Sequence, residues 1–170
     1  MASSHPLRLI TGAPGSGKSL AVESMFTLDS RYLVFDMDWL IGPVSGMAGA
    51  DLRSAEDLWP RYNDLWLEVL HVIELNGGRP VLFTPMSPSD LQSAIPTWCS
   101  QVHWLRLDCD ESIRIERLKA RGESYDSIRT AVEDARKLRR QVERPALDTS
   151  NIHPGIVGQR ILEWLTALGA

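Results

Sequence analysis

A chain of 170 residues with 44% hydrophobic and 24% charged side chains has the size and composition of one soluble globular domain with a proper core. Its net charge of −4 argues against a pure nucleic-acid binder, and no apolar run approaches the roughly 18 residues that a membrane-spanning helix needs. The opening stretch MASSHPLRLI lacks the long apolar core of a secretory signal, and Cys99 and Cys109 form no C-x-x-C pair. Together these features predict a cytoplasmic protein with reduced thiols.

Taken in chain order, apolar runs of strand length alternate with helix-like stretches. Leu7–Thr11 reads as a strand, and the glycine-rich segment after it leads into a helix over Gly17–Leu28. Tyr32–Asp36 is the second strand and Ser54–Asn76 a long helix, which Asn76-Gly77-Gly78 should terminate. Pro80–Thr84 and Val102–Leu107 are further strands. Helices follow over Glu111–Arg121 and Tyr125–Glu143; the second shows an apolar stripe of Tyr125, Ile128, Val132, Ala135, Leu138 and Val142. A short strand, Pro145–Leu147, and a helix over Gly155–Leu168 complete the chain. The runs YLVFD and VLFT are almost continuously apolar, as strands buried on both faces of a parallel sheet must be. The alternation predicts an α/β fold with helices on both faces.

The segment GAPGSGKS matches G-x-x-x-x-G-K-[ST] at Gly12, Gly17, Lys18 and Ser19, with a strand before it and a helix after it. Glycines let successive backbone N–H groups turn toward one phosphate, and the following helix directs its positive end at the anion. Lys18 then bridges the terminal phosphates and Ser19 offers a hydroxyl to magnesium. The motif predicts binding of a nucleoside triphosphate with its magnesium through Gly12, Ala13, Pro14, Gly15, Ser16, Gly17, Lys18, Ser19 and Leu20. It does not choose among kinases, switches and transporters.

Four shorter elements narrow the choice. FDMDWL places Asp36 and Asp38 two apart at the end of the second strand, on one side of it. ERLKARG sets Arg117 and Arg121 on one helical face, with Arg114 three residues earlier. EDARKLRRQ carries Arg136, Lys137, Arg139 and Arg140 after the small polar segment GESYDS, and ALDTSN follows the last strand. From Glu111 to Arg144 ten basic residues meet seven acidic ones, a local excess that suits a small anionic ligand.

With these elements the chain resembles the small P-loop kinases of the nucleoside-monophosphate-kinase type, together with shikimate, gluconate and adenylylsulfate kinases and chloramphenicol phosphotransferase. The likeness extends over nearly the whole chain. It implies a P-loop NTPase three-layer fold with a five-stranded parallel sheet in the order 2-3-1-4-5. It implies a single kinase domain over 1–170, an acceptor region at about 39–76 and a small lid at about 117–140. ATP and Mg²⁺ are the implied cofactors, and a small-molecule hydroxyl the implied acceptor; no nucleic acid, membrane or obligate protein partner is expected. By the resemblance, Asp38 takes or orients the acceptor proton, and Asp36 or Asp38 holds magnesium through water. Arg117 packs on adenine, Arg121 reaches the phosphates, and Arg136 with Arg140 covers the transferring phosphoryl group, with Arg139 in reserve. Asp148, Thr149 and Ser150 lie beside the adenine.

The sequence also departs from the family pattern. Thr84 ends the third strand where many P-loop proteins have a magnesium-positioning aspartate. Asp108 ends the fourth, but Asp110 and Glu111 follow at once, so Asp108 reads as part of a helix cap. TPMSPSD replaces a nucleotide-reading signature, with Pro85 and Pro88 stiffening a loop beside the acceptor. Trp39, Trp59, Tyr62 and Trp66 fit either a stacking surface for the acceptor or a core stripe with Val69 and Ile73. Two other functions stay open: a nucleotide kinase, whose phosphate acceptor would need Arg53, Arg61 or Arg79, and a nucleotide-switch or assembly ATPase.

Overall fold

In the computed structural model, which describes residues 5–91 and 95–169, five parallel strands form one sheet in the order β2-β3-β1-β4-β5. The strands are β1 (His5–Thr11), β2 (Leu33–Asp36), β3 (Pro80–Thr84), β4 (Cys99–Asp108) and β5 (Ala146–Asp148). Around them lie α1 (Lys18–Met25), α2 (Ile41–Ala48), α3 (Trp59–Leu75), the short α4 (Pro88–Leu91), α5 (Glu111–Ala120), α6 (Tyr125–Gln141) and α7 (Pro154–Ala167). All five predicted strands and all five predicted helices are present, with ends moved by at most five residues.

The sheet owes its position to two-sided burial. Leu7, Leu9 and Leu82 point to one face, where Met37, Tyr62, Trp66 and Leu70 cover them. Ile10, Val81 and Phe83 point to the other, against Ala21, Val22 and Met25 of α1 and Val157, Ile161 and Leu165 of α7. Every residue of β3 is buried, as its nearly continuous apolar run requires. Strand β1 lies between β3 and β4, with Leu9 in register with both Leu82 and Trp104. The strand order reverses beside β1, and in open α/β sheets ligands enter the crevice at such a switch point, at the carboxyl ends of the strands.

Helix α3 stops where the sequence predicts. The Gly78 N–H donates to Ile73 O at 3.0 Å and the Gly77 N–H to Glu74 O at 2.9 Å, with Gly77 at φ 78°. One helix was not predicted, and two readings need correction. The segment 41–48 is helical although it contains Gly42, Pro43 and Gly46: Ile41 is buried in the core and Leu52 N–H bonds Ser45 Oγ, so tertiary contacts override weak propensity. On α6 the buried stripe is Ile128, Ala131, Ala135 and Leu138; Tyr125, in the first turn, is 80% exposed. Asp108 does not cap α5, because its carboxylate is taken by arginines.

Candidate active site

The loop after β1 is built to present donors. Gly15 and Gly17 adopt φ of 80° and 88°, a left-handed region that side-chain-bearing residues avoid. A Cβ at Gly12 would lie 2.5 Å from Ser16 Oγ and 2.7 Å from Leu107 O, so only glycine fits there. Helix α1 begins at Lys18 without a side-chain cap. Among the described residues, the N–H groups of Gly15, Gly17, Lys18, Ser19 and Leu20 have no acceptor, and the buried Ser16 Oγ has no partner. Uncapped N–H groups at a helix start form an anion site. Lys18 Nζ donates to Gly12 O inside this loop. Burial lowers its pKa from 10.5 to about 8, against the attraction of Asp38 and Asp36.

Next to the loop a cavity of about 370 Å³ is lined by Lys18, Ser19, Asp36, Asp38, Arg53, Trp59 and Arg121, among others. Asp36 and Asp38 share this cavity for a reason other than strand periodicity. Strand β2 ends at Asp36, whose side chain accepts the Asp38 N–H at 3.0 Å and caps a 3₁₀ turn over Met37–Leu40. Burial, with the nearby Asp38 charge, pushes the Asp36 carboxyl above its ordinary value, although the Asp38 N–H and Lys18 favour its ionised form.

The pair Ser19 and Asp36 fits magnesium. Mg²⁺ is commonly held by one or two protein oxygens with substrate phosphates and water supplying the rest, and among the described residues no cluster of three or more His, Cys, Asp or Glu side chains could cage a metal alone. Pro85, in the stiff loop after β3, also lines the cavity. Of the rings in the 39–76 region, Trp59 reaches the cavity, whereas Tyr62 and Trp66 are core residues. Trp39 is 48% exposed and stacks on Phe26 at 5.8 Å.

On the other side of Gly17 a second, mainly apolar recess of about 270 Å³ is lined by Leu20, Arg117, Arg121, Thr149, Ile152, Pro154 and Val157. Arg117 donates to Gly15 O at 3.1 Å and Thr149 O at 2.6 Å, so it ties the loop after β5 to the phosphate loop. Asp148 turns away from this recess and accepts from Ser150 N–H and Oγ. Ile152, Pro154 and Val157 were not legible as site residues, since apolar side chains at a helix start look like core.

The structure therefore brings together Lys18, Ser19, Asp36, Asp38 and Arg121. It does not bring Arg136 or Arg140 to them. Arg136 pairs with Glu111 at 3.0 Å on the surface, and Arg140 is exposed. The inward-turned arginine of α6 is Arg139, which grips Asp108 through Nε at 2.6 Å and Nη2 at 3.1 Å. Helix α6 itself packs Ala135 and Leu138 against Ala13.

No family model and no curated protein matches the sequence. Solved structures do. The chain superposes on the Deinococcus radiodurans tunicamycin resistance protein with TM-score 0.70 at 19% identity, covering 95% of each chain. It superposes on a gluconokinase from Sinorhizobium meliloti with TM-score 0.60 at 21% identity, over 98% of this chain and 94% of that one. The chain has the fold of the small P-loop kinases. Shikimate kinase from Aquifex aeolicus gives TM-score 0.55 at 17% identity, over 98% of this chain and all of that one. At these identities the likeness is one of fold.

Proposed function

We propose that the protein is an ATP- and magnesium-dependent kinase that transfers the γ-phosphoryl group to a hydroxyl of a small molecule. The observation that carries this reading is the convergence, in one cavity, of the phosphate-loop Lys18 and Ser19 with two carboxylates and Arg121. One carboxylate beside the loop lysine serves magnesium in any such site; the second, Asp38, is free to take the proton of a hydroxyl acceptor. The neighbouring structures named as kinases support the same class.

In this reading residues 1–170 act as one kinase domain, with 39–76 contributing the acceptor side and 117–140 closing over the phosphates. The N–H groups of the loop and α1 receive the phosphates. The recess along Leu20, Arg117, Thr149 and Val157 takes the base. Asp38 accepts the acceptor proton as the new O–P bond forms and the bond to the departing diphosphate breaks. Lys18 and Arg121 follow the negative charge from the phosphoryl group to the leaving oxygen. Ser19 and Asp36, the latter through water, would hold magnesium, which when bound neutralises phosphate charge. Arg136 and Arg140 contribute only if α6 shifts from its present packing. Such a kinase works on cytoplasmic ATP.

A second reading, a phosphate-bearing acceptor as in nucleotide kinases, is favoured by one observation. Arg53 lines the cavity, whereas Arg61 and Arg79 do not. Measuring ADP release with Mg-ATP against a panel of hydroxyl compounds and nucleoside monophosphates tests both. Release that depends on a hydroxyl compound supports the first reading, and release that depends on a monophosphate and is lost in Arg53→Ala supports the second. Hydrolysis indifferent to every acceptor contradicts both and returns the switch-ATPase reading.

A further inference from the structure

Five consecutive carbonyls of the phosphate loop are each held by a donor. Lys18 Nζ donates to Gly12 O. Arg114 Nη1 donates to Ala13 O at 3.3 Å and to Pro14 O. Gly15 O accepts from Arg117 Nη1 at 3.1 Å and from the Cys109 thiol at 3.5 Å. Ser16 O accepts from Thr149 Oγ1 at 2.8 Å.

In a trans peptide the carbonyl of one residue and the N–H of the next point in opposite directions. Fixing Pro14 O toward Arg114 therefore fixes the Gly15 N–H the other way, and fixing Ser16 O toward Thr149 does the same for the Gly17 N–H. Those two N–H groups are among the five of the loop and the start of α1 that have no acceptor among the described residues. Gly15 and Gly17 are also the loop positions with φ near 80–90°, the residues whose backbones have most freedom to lose.

Arg114 is itself rigidly placed. It is 1% exposed, its stem lies against Gly15, where a Cβ would come within 3.0 Å of Arg114 Cγ, and its Nη2 meets Asp108 Oδ1 at 2.8 Å. Asp108 receives two more arginines: Arg139 of α6, and Arg106 Nε at 3.5 Å. Arg106 also donates to carbonyls at the end of α6, at Arg139 in its last turn and at Val142 just after it. One carboxylate at the end of β4 thus anchors both the phosphate loop and the helix that crosses over it. Although burial opposes its ionisation, hydrogen bonds from Arg139 and the Cys109 N–H, with the Arg139 and Arg114 charges, hold its carboxyl below the ordinary 3.8.

We propose that Arg114, anchored by Asp108, and Thr149 are positioning residues that pre-set the phosphate loop, turning the Gly15 and Gly17 N–H groups toward the nucleotide before it arrives. The idea rests on the reading of residues 12–19 as a nucleotide site. Preorganisation lowers the ordering cost at the moment of binding, so loss of the clamp appears in nucleotide affinity as well as in stability. A merely structural arginine changes only the latter.

The test is calorimetric titration of Mg-ATP into wild type, Arg114→Met, Arg114→Lys, Thr149→Val and Lys119→Met, each well below its own melting temperature. Lys119, exposed on the same helix, controls for charge. Arg114→Met is expected to bind about tenfold more weakly and the near-isosteric Thr149→Val about threefold more weakly, the scale of one charged and one neutral hydrogen bond. Arg114→Lys should recover only part, because an ammonium cannot span Asp108 and two carbonyls as the guanidinium fork does; Lys119→Met should match wild type. Wild-type affinity in a folded Arg114→Met with lowered melting temperature would overturn the proposal. If Arg114→Met does not fold, Thr149→Val decides: unchanged affinity there overturns it. A wild type that does not bind Mg-ATP would overturn the nucleotide reading itself, and this inference with it.

Discussion

Replacing Lys18 by methionine should make the unliganded protein more stable while removing its response to nucleotide. The Lys18 amine is held in the phosphate loop, and burial brings its pKa from 10.5 to about 8. That displacement corresponds to a penalty of about 3 kcal/mol on the charged form. The side chain keeps partial contact with water, so the working figure is roughly 1–2 kcal/mol. Methionine has similar length and no charge, but loses the bond to Gly12 O, worth about 1 kcal/mol or less. The expected net gain at pH 7 is therefore up to about 1 kcal/mol, or roughly 2–4 °C in Tm for a chain of this size.

The sign of the pH dependence follows from the lowered pKa. Between pH 8 and 10.5 the unfolded chain binds more protons than the folded one, so wild-type stability rises with pH in that window. The advantage of Lys18→Met should be constant below pH 8 and shrink as pH approaches 10.5. Mg-ATP at a hundredfold excess over its Kd should stabilise wild type by about 2.7 kcal/mol and the variant by almost nothing. Thermal melts from pH 6.5 to 10, with and without Mg-ATP, make the measurement. A variant less stable than wild type at pH 7, or equally stabilised by Mg-ATP, would refute the reasoning.

Further outcomes follow from the same geometry. Asp38→Asn should lower turnover by about 10²-fold or more with Mg-ATP affinity little changed, read in a coupled ADP assay; a larger loss in Asp36→Asn would exchange their roles. Arg121→Ala should reduce turnover more than it weakens nucleotide binding, since charge on the phosphoryl group matters most in the transition state, whereas Arg136→Ala, whose partner is Glu111 on the surface, should do so only if α6 moves. Hydrogen exchange over 121–140 reports that movement: protection on adding ATP with acceptor is the lid outcome, and indifference to both removes it. Gly17→Ala, at φ 88°, should cost about 1–2 kcal/mol in a denaturant melt and abolish the Mg-ATP shift.

The sheet was readable because its residues obey local rules. PVLFT is apolar up to its closing threonine, and it forms the fully buried β3; the phosphate-loop pattern was readable because the chemistry demands glycines at fixed spacing. The acceptor side was less legible. Trp59, Tyr62 and Trp66 fall on one helical period, and only packing decides that Trp59 faces the cavity while the other two fill the core. Asp36 and Asp38 were found by their spacing, yet the 3₁₀ turn that joins them in space has no signature in DMDWL. The arginines of α6 divided least predictably. Arg136, Arg139 and Arg140 differ by about 100° steps around the helix, and their fates depend on Asp108 and Glu111, which lie some 25 to 31 residues away in sequence.

The central claim is that a γ-phosphoryl group moves from ATP to an acceptor hydroxyl beside Asp38. The direct measurement is mass spectrometry of an acceptor panel after incubation with Mg-ATP and either wild type or Asp38→Asn. The account predicts one class of hydroxyl compound carrying a single added phosphoryl group with wild type, in step with ADP formed, and almost none with the variant. ADP formed without any phosphorylated acceptor, at equal rates in wild type and Asp38→Asn, would contradict it.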